Sequence, residues 1–153
     1  MCKSNMQPEE IMKLALEEAQ KAVDEGNAPF GVVVLNREGE IIWKDHDRVN
    51  ECTDPTAHGE INAIRHLCKQ LNTLSLEGFT FYTTSEPCPT CLTGMIKARV
   101  SKNFYGAKTE ATASLPISAE ELASKAKKYP IEVKGGILTE ECLEQRTRLL
   151  QHA

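Results

Sequence analysis

The sequence predicts an α/β fold: a mixed five-stranded sheet with helices on its faces. Three observations predict it. Segments with apolar residues at helical spacing alternate with short β-branched runs, in the order α-β-β-α-β-α-β-α-β-α. At 153 residues the chain is long enough for one core, so the expectation is a single domain over residues 1–153. No stretch has the composition of a linker, and no repeat or low-complexity segment interrupts the pattern.

Each element has its own signal. Over Pro8–Asp24, apolar Ile11, Ala15, Ala19 and Ala22 make one helical face, and Gly26 stops the helix. Phe30–Leu35 is a β-branched run, Asn36–Gly39 a turn, and Glu40–Lys44 the returning strand of a hairpin. A second helix is expected from Pro55, with Asp54 as its N-cap and Ile61, Ile64, Leu67, Cys68 and Leu71 on its buried face. Phe79–Thr84 reads as a strand, followed by a helix opening at Cys88 or Pro89. Asn103–Gly106 is a short strand, and Thr109–Pro116 after it is a small, polar, loop-like stretch. Ser118 with Glu121 is a capping-box pair that opens a helix to Lys128. Ile131–Val133 and Thr139–Gln151 complete the set as a strand and a helix.

Composition narrows the function. Hydrophobic residues are 41% and charged residues 26%, which is ordinary for a globular chain, and the net charge is −4. That balance does not favour a dedicated nucleic-acid binder. Residues 1–96 carry 8 basic and 15 acidic side chains, whereas residues 97–153 carry 10 and 7. The weakly basic second part keeps RNA as an alternative partner. No apolar run is long enough to span a membrane, and Met1 to Gln20 lacks the apolar stretch of a signal peptide. A cytoplasmic, reducing compartment is therefore expected. There the six cysteines read as metal ligands or catalytic groups before disulfides.

Two short segments carry chemistry: Ala57-His58-Gly59-Glu60 and Glu86-Pro87-Cys88-Pro89-Thr90-Cys91, each at an expected helix start. Cys88 and Cys91 can converge on one ion, and a helix N-terminus favours the thiolate that zinc requires. His58 and Glu60 are two apart and would face opposite ways in mid-helix, so both can serve one site only from the first turn. One His and two Cys leave a fourth zinc position for water, whose pKa falls to about 7 on the metal. Glu60, not itself a ligand, is the candidate to carry that water's proton. A closed structural zinc completed by Cys52, Cys68 or His66 is the competing reading.

His58-x-Glu60 with Pro87-Cys88-x-x-Cys91 is similar to the signature of zinc-dependent deaminases. The chain resembles the cytidine deaminase superfamily over most of its length, closest to its guanine deaminase and tRNA adenosine deaminase branch. Pro29-Phe30-Gly31, Asp54-Pro55-Thr56-Ala57-His58-Gly59-Glu60 and Phe81-Tyr82-Thr83-Thr84-Ser85-Glu86-Pro87-Cys88-Pro89-Thr90-Cys91 carry the likeness to both. His-Gly-Glu also resembles yeast-type cytosine deaminases. Ile131-Glu132-Val133, Gly136-Ile137-Leu138 and Glu141-Cys142 are similar to the tRNA-editing enzymes. The resemblance implies a three-layer α/β/α sandwich, one Zn2+ per chain, a homodimer, and hydrolytic release of ammonia. It implies that Glu60 protonates the ring nitrogen and then the departing amine. Substrate contacts are expected from Asp47, Phe30, Ala57 and Glu86.

Two departures bear on substrate. Where relatives place a base-contacting Asn eleven residues before the zinc His, this chain has Asp47, with Asn50 the contact if the register shifts. An ionised Asp only accepts hydrogen bonds, so it would select an edge rich in N–H groups. The Gly-Phe-Asp-Asp stretch of guanine deaminases is replaced by Ser114-Leu115-Pro116-Ile117-Ser118, and the aromatic, arginine-rich tail of the tRNA enzymes by Leu149-Leu150-Gln151-His152-Ala153. The expected substrate is a free nucleobase or similar heterocyclic amine. Adenosine in tRNA, cytosine or cytidine, and an inactive zinc-stabilised binding module are the alternatives.

Overall fold

A computed structural model describes residues 6–109 and 115–150. The first helix, α1, spans Pro8–Asp24, with Pro8 at its first position and the Gln7 N–H donating to Glu10 Oε1 at 3.4 Å. Strands β1 (Gly31–Leu35) and β2 (Ile41–His46) form the expected hairpin. Its turn is held by Asn36 Oδ1, which accepts from the N–H groups of Glu38 and Glu40. A four-residue helix, α2 (Val49–Cys52), follows and leads to α3 (Gly59–Gln70). Then come β3 (Thr80–Ser85), α4 (Pro89–Lys97), β4 (Lys102–Ala107), α5 (Ala119–Ser124), β5 (Glu132–Lys134) and α6 (Thr139–Leu150).

The five strands make one mixed sheet in the order β2-β1-β3-β4-β5, as the fold class requires. β1 is antiparallel to β2 and β3, while β3, β4 and β5 run parallel. The pleat of β1 sends Val32 and Val34 to one face and Val33 and Leu35 to the other. On the first face they meet Ala63 and Leu67 of α3, Leu92 and Met95 of α4, and Ala119 of α5. On the second they meet Ile11, Met12 and Ala15 of α1, and Cys142 of α6. Helices thus cover both faces, which explains why all five β1 residues are buried. Gly31 sets how closely α1 lies on the sheet, because a Cβ there would stand 2.0 Å from the Ala15 carbonyl oxygen. No described helix is long and apolar enough to cross a membrane.

Several local expectations are corrected. The helix expected at Pro55 begins four residues later. Asp54 caps a turn instead, its Oδ1 accepting from the Thr56 N–H at 2.8 Å and hydroxyl at 2.7 Å. Leu71, expected on the buried face, is 48% exposed beyond the end of α3. β2 continues through Asp45 and His46, and α2 was not signalled. α5 stops at Ser124, because Lys125, Lys127 and Lys128 are exposed and bring nothing to bury. The Ser118 cap holds as expected, accepting from the Glu121 N–H at 3.1 Å. Cys2, Ser114 and residues 151–153 lie outside the described residues.

Candidate active site

The later start of α3 resolves the geometry of its first turn. His58 is the N-cap, extended at φ −70° and ψ 155°, and Glu60 is the second helical residue. The pair therefore straddles the helix boundary, and the 200° separation of mid-helix does not apply. Cys88 stands in the same way at the start of α4, as an extended N-cap at φ −68° and ψ 165°, with Pro89 first in the helix and Cys91 third. The two helix starts meet at the C-terminal end of β3, where open α/β sheets place their ligands.

There His58 Nδ1 lies 3.2 Å from Cys91 Sγ and 3.7 Å from Cys88 Sγ. One donor atom from each of His58, Cys88 and Cys91 lies within 4.8 Å of the others, and no fourth His, Cys, Asp or Glu joins this group among the described residues. A tetrahedral zinc with bonds of about 2.0 Å to nitrogen and 2.3 Å to sulfur separates those donors by about 3.5 Å. The two His58 distances bracket that spacing, so the three residues fit a zinc ion. Cys52, Cys68 and His66, the candidate closing ligands, stand outside the group.

The electrostatics match that donor set. Hydrogen bonding to Cys91 lowers the Cys88 thiol to about 4, against burial, with His58 adding to the effect. The hydrogen bond to Cys88 lifts His58 to about 9. Cys91 is pushed well up, first by its hydrogen bond with Cys88 and then by burial. A divalent ion on these atoms must displace the protons of His58 and Cys91, so its binding strengthens as pH rises. Glu60 is buried, 8% exposed, and burial raises its pKa despite a hydrogen bond from Cys91.

These groups open onto a cavity of about 80 Å³ lined by Phe30, Gly31, His58, Glu60, Thr84, Ser85, Glu86, Cys88 and Thr109. Of the residues expected to touch substrate, Phe30 and Glu86 line it, whereas Asp47 and Ala57 do not. Glu86 has a second engagement: Oε1 accepts from the Thr109 N–H at 3.3 Å and Oε2 from the Ala119 N–H at 2.9 Å. It thereby ties the end of β4 to the start of α5. Asp47 is buried beside the site, not a solvated partner of Arg48. Its Oδ2 accepts from the N–H groups of Ala28 at 3.2 Å and Val49 at 3.4 Å. Burial raises its pKa, and its charge acts on His58. Asn50, the alternative contact, is exposed and donates to the Gly26 carbonyl.

Sequence reasoning missed Thr84, Ser85, Thr109 and Arg146. Thr84 and Ser85 immediately precede Glu86, so the end of β3 was the available signal. Arg146 comes from α6, with its guanidinium carbon 5.7 Å from the centre of the Phe30 ring. Nothing local in the sequence announces that contact.

Comparisons with known proteins agree with this site. The family described as "Cytidine and deoxycytidylate deaminase zinc-binding region" matches residues 5–107, which contain all four residues of the His-x-Glu and Cys-x-x-Cys pair. A tRNA-specific adenosine deaminase of Aquifex aeolicus is 43% identical over 102 residues, covering 67% of each chain. The guanine deaminase of Bacillus subtilis is 39% identical over 104 residues, covering 67% of this chain and 66% of that one. A structure from a study of A-to-I editing by tRNA:A34 deaminases superposes with a TM-score of 0.79 at 31% identity, covering 89% of this chain and 98% of that one. With a helix-capping histidine, two convergent cysteines and a buried glutamate on the matching fold, this chain belongs to the zinc-binding cytidine and deoxycytidylate deaminase family.

Proposed function

We propose that this chain removes an exocyclic amine as ammonia from a free nucleobase or nucleobase-like heterocycle, acting as a single deaminase domain. His58, Cys88 and Cys91 hold the zinc, which when bound supplies an activated water near neutral pH. Glu60 carries the proton: its buried carboxyl, with pKa raised, is suited to take a proton and deliver it first to the ring nitrogen and then to the amine. Phe30 offers a flat apolar floor for the ring, and Glu86 an acceptor for its N–H groups.

One observation carries the choice of a free heterocycle. Among the described residues the cavity lining includes two carboxylates, Glu60 and Glu86, and no lysine or arginine, with the Arg146 guanidinium carbon 5.7 Å from the Phe30 ring centre. An uncharged, amine-bearing ring meets that wall well, whereas a nucleotide would bring its phosphate towards it. The unpaired state of all five described cysteines is in keeping with a cytoplasmic setting. Exposed Leu71 and Leu74 are candidates for a homodimer contact, which sedimentation analysis tests.

Adenosine in tRNA is the second reading. It is favoured by the A-to-I editing structure, whose likeness extends over 98% of that chain. An ammonia-release screen separates the two. It would cover guanine, adenine, cytosine, isocytosine, their nucleosides, pterins and triazines beside a tRNA control. We expect turnover of a free heterocycle with an amidine or guanidine edge, and Asp47→Asn to shift the preference among these. Inosine formation in tRNA, with salt-sensitive binding and no turnover of free bases, would overturn the proposal.

A further inference from the structure

A second set of donors lies outside the cavity. His46, at the end of β2, is 3% exposed. Its Nδ1 stands 2.9 Å from Glu18 Oε1, a contact that fixes the ring and places the Nδ1 proton towards the carboxylate. Nε2 has no hydrogen-bond partner among the described residues. Glu25 Oε2 lies 2.6 Å away, but off the line of a ring N–H, so a proton on Nε2 would not be shared between them. A ring nitrogen and a carboxylate oxygen this close, with no hydrogen bond between them, suit a shared cation.

Glu25 caps the C-terminus of α1, and Glu51 lies on α2. One donor atom from each of Glu25, His46 and Glu51 lies within 4.8 Å of the others. Asn27 and Arg48 both bond Oε1 of Glu51, at 2.9 and 3.2 Å, so its other oxygen is the one available to an ion. The surrounding charge is unbalanced. Among the described residues, Glu18, Glu25, Asp45 and Glu51 face two fixed cations, Lys21 and Arg48.

We propose that His46 Nε2 and the carboxylates of Glu25 and Glu51 form a second metal site, for a divalent first-row transition ion such as Mn2+. Glu18 holds the imidazole in the ligating tautomer, as second carboxylates commonly do behind metal-bound histidines. One nitrogen and two carboxylates, with no sulfur, suit this class of ion better than the soft donors around His58 would. Bonds of about 2.1 Å at right angles separate neighbouring donors by about 3.0 Å. Glu25 must therefore swing outward by roughly 0.4 Å, which its side chain, 46% exposed, is free to do. The ion would pin the end of α1 to β2 and α2. It would also stiffen the ground under α3: Asn62 Nδ2 donates to the His46 carbonyl at 3.0 Å, and Gly59 packs directly on the His46 backbone.

Equilibrium dialysis of the zinc-loaded protein against Mn2+, with metal counted per chain, tests the site. We expect one Mn2+ per chain in addition to zinc, and a higher unfolding temperature with Mn2+ present. Glu25→Gln/Glu51→Gln should weaken Mn2+ binding at least tenfold and remove the temperature rise. Glu25→Gln alone, on an exposed side chain, does the same in part if the double variant folds poorly. No second ion at millimolar Mn2+, or equal binding by wild type and variants, would overturn the proposal.

Discussion

His46 and His58 stand at the two ends of one connection, from the last residue of β2 to the cap of α3, in opposite surroundings. His58 meets two sulfurs at the mouth of a cavity. His46 is enclosed, with Glu18 and Glu25 on its two nitrogens. The same imidazole therefore serves two chemistries. Thiolates and an open position make a centre for polarising water, whereas carboxylates and burial make a structural tie. The neighbours a histidine is folded against decide its role, and those neighbours come from distant parts of the chain.

The strongest way to break this comparison is to remove each ring in turn. His58→Ala should lose zinc and with it all measurable ammonia release. His46→Asn should keep one zinc per chain, measured by metal analysis, while losing about 3 kcal/mol of stability through its stranded carboxylates. Loss of zinc from both variants would show the two clusters to be one unit.

Gly31→Ala acts next in size and on one side only. The new Cβ would stand 2.0 Å from the Ala15 carbonyl oxygen and 2.7 Å from the Ala19 nitrogen, so α1 must back away from the sheet. Denaturant unfolding should show a loss of about 3 kcal/mol. Because α1 carries Glu18 and Glu25, the His46 cluster should loosen while zinc content stays at one per chain.

The smallest effect is a pH dependence. Burial raises the pKa of Glu18, but hydrogen bonds from His46 and Lys21 outweigh it and bring the folded value below the ordinary one. A lowered carboxylate contributes its stability in full above the unfolded value, near about 4.3, and loses it as pH falls through the folded value. Glu18→Gln should therefore cost about 1.5 kcal/mol at neutral pH. That difference in unfolding temperature should close as pH falls below about 4.3.

What was legible in the sequence had a local cause. The β-branched run through Val32, Val33 and Val34 marks a strand buried on both faces, and Ser118 with Glu121 marks a cap, because those interactions lie within a few residues. The zinc-type pair was legible for the same reason, at two helix starts. Asp54-Pro55 misled because the same dipeptide suits a helix cap and a tight turn, and the choice fell to the Thr56 bonds. Asp45, His46 and Asp47 lie in the charged stretch Lys44–Arg48, yet all three are buried. Asp45 is satisfied locally, by Trp43, the His46 N–H and Arg48, but Glu18 reaches His46 from α1 and the Ala28 N–H reaches Asp47 from the loop after it, contacts that no local pattern records. Arg146 over Phe30 was invisible on the same grounds.

The central claim is that a buried glutamate beside a zinc group moves the proton in hydrolytic deamination. Zinc content and ammonia release measured together on Glu60→Gln test it most directly. We expect a folded protein with one zinc per chain and a turnover at least roughly 10³-fold lower than wild type. A zinc-loaded Glu60→Gln that still releases ammonia at the wild-type rate would contradict it.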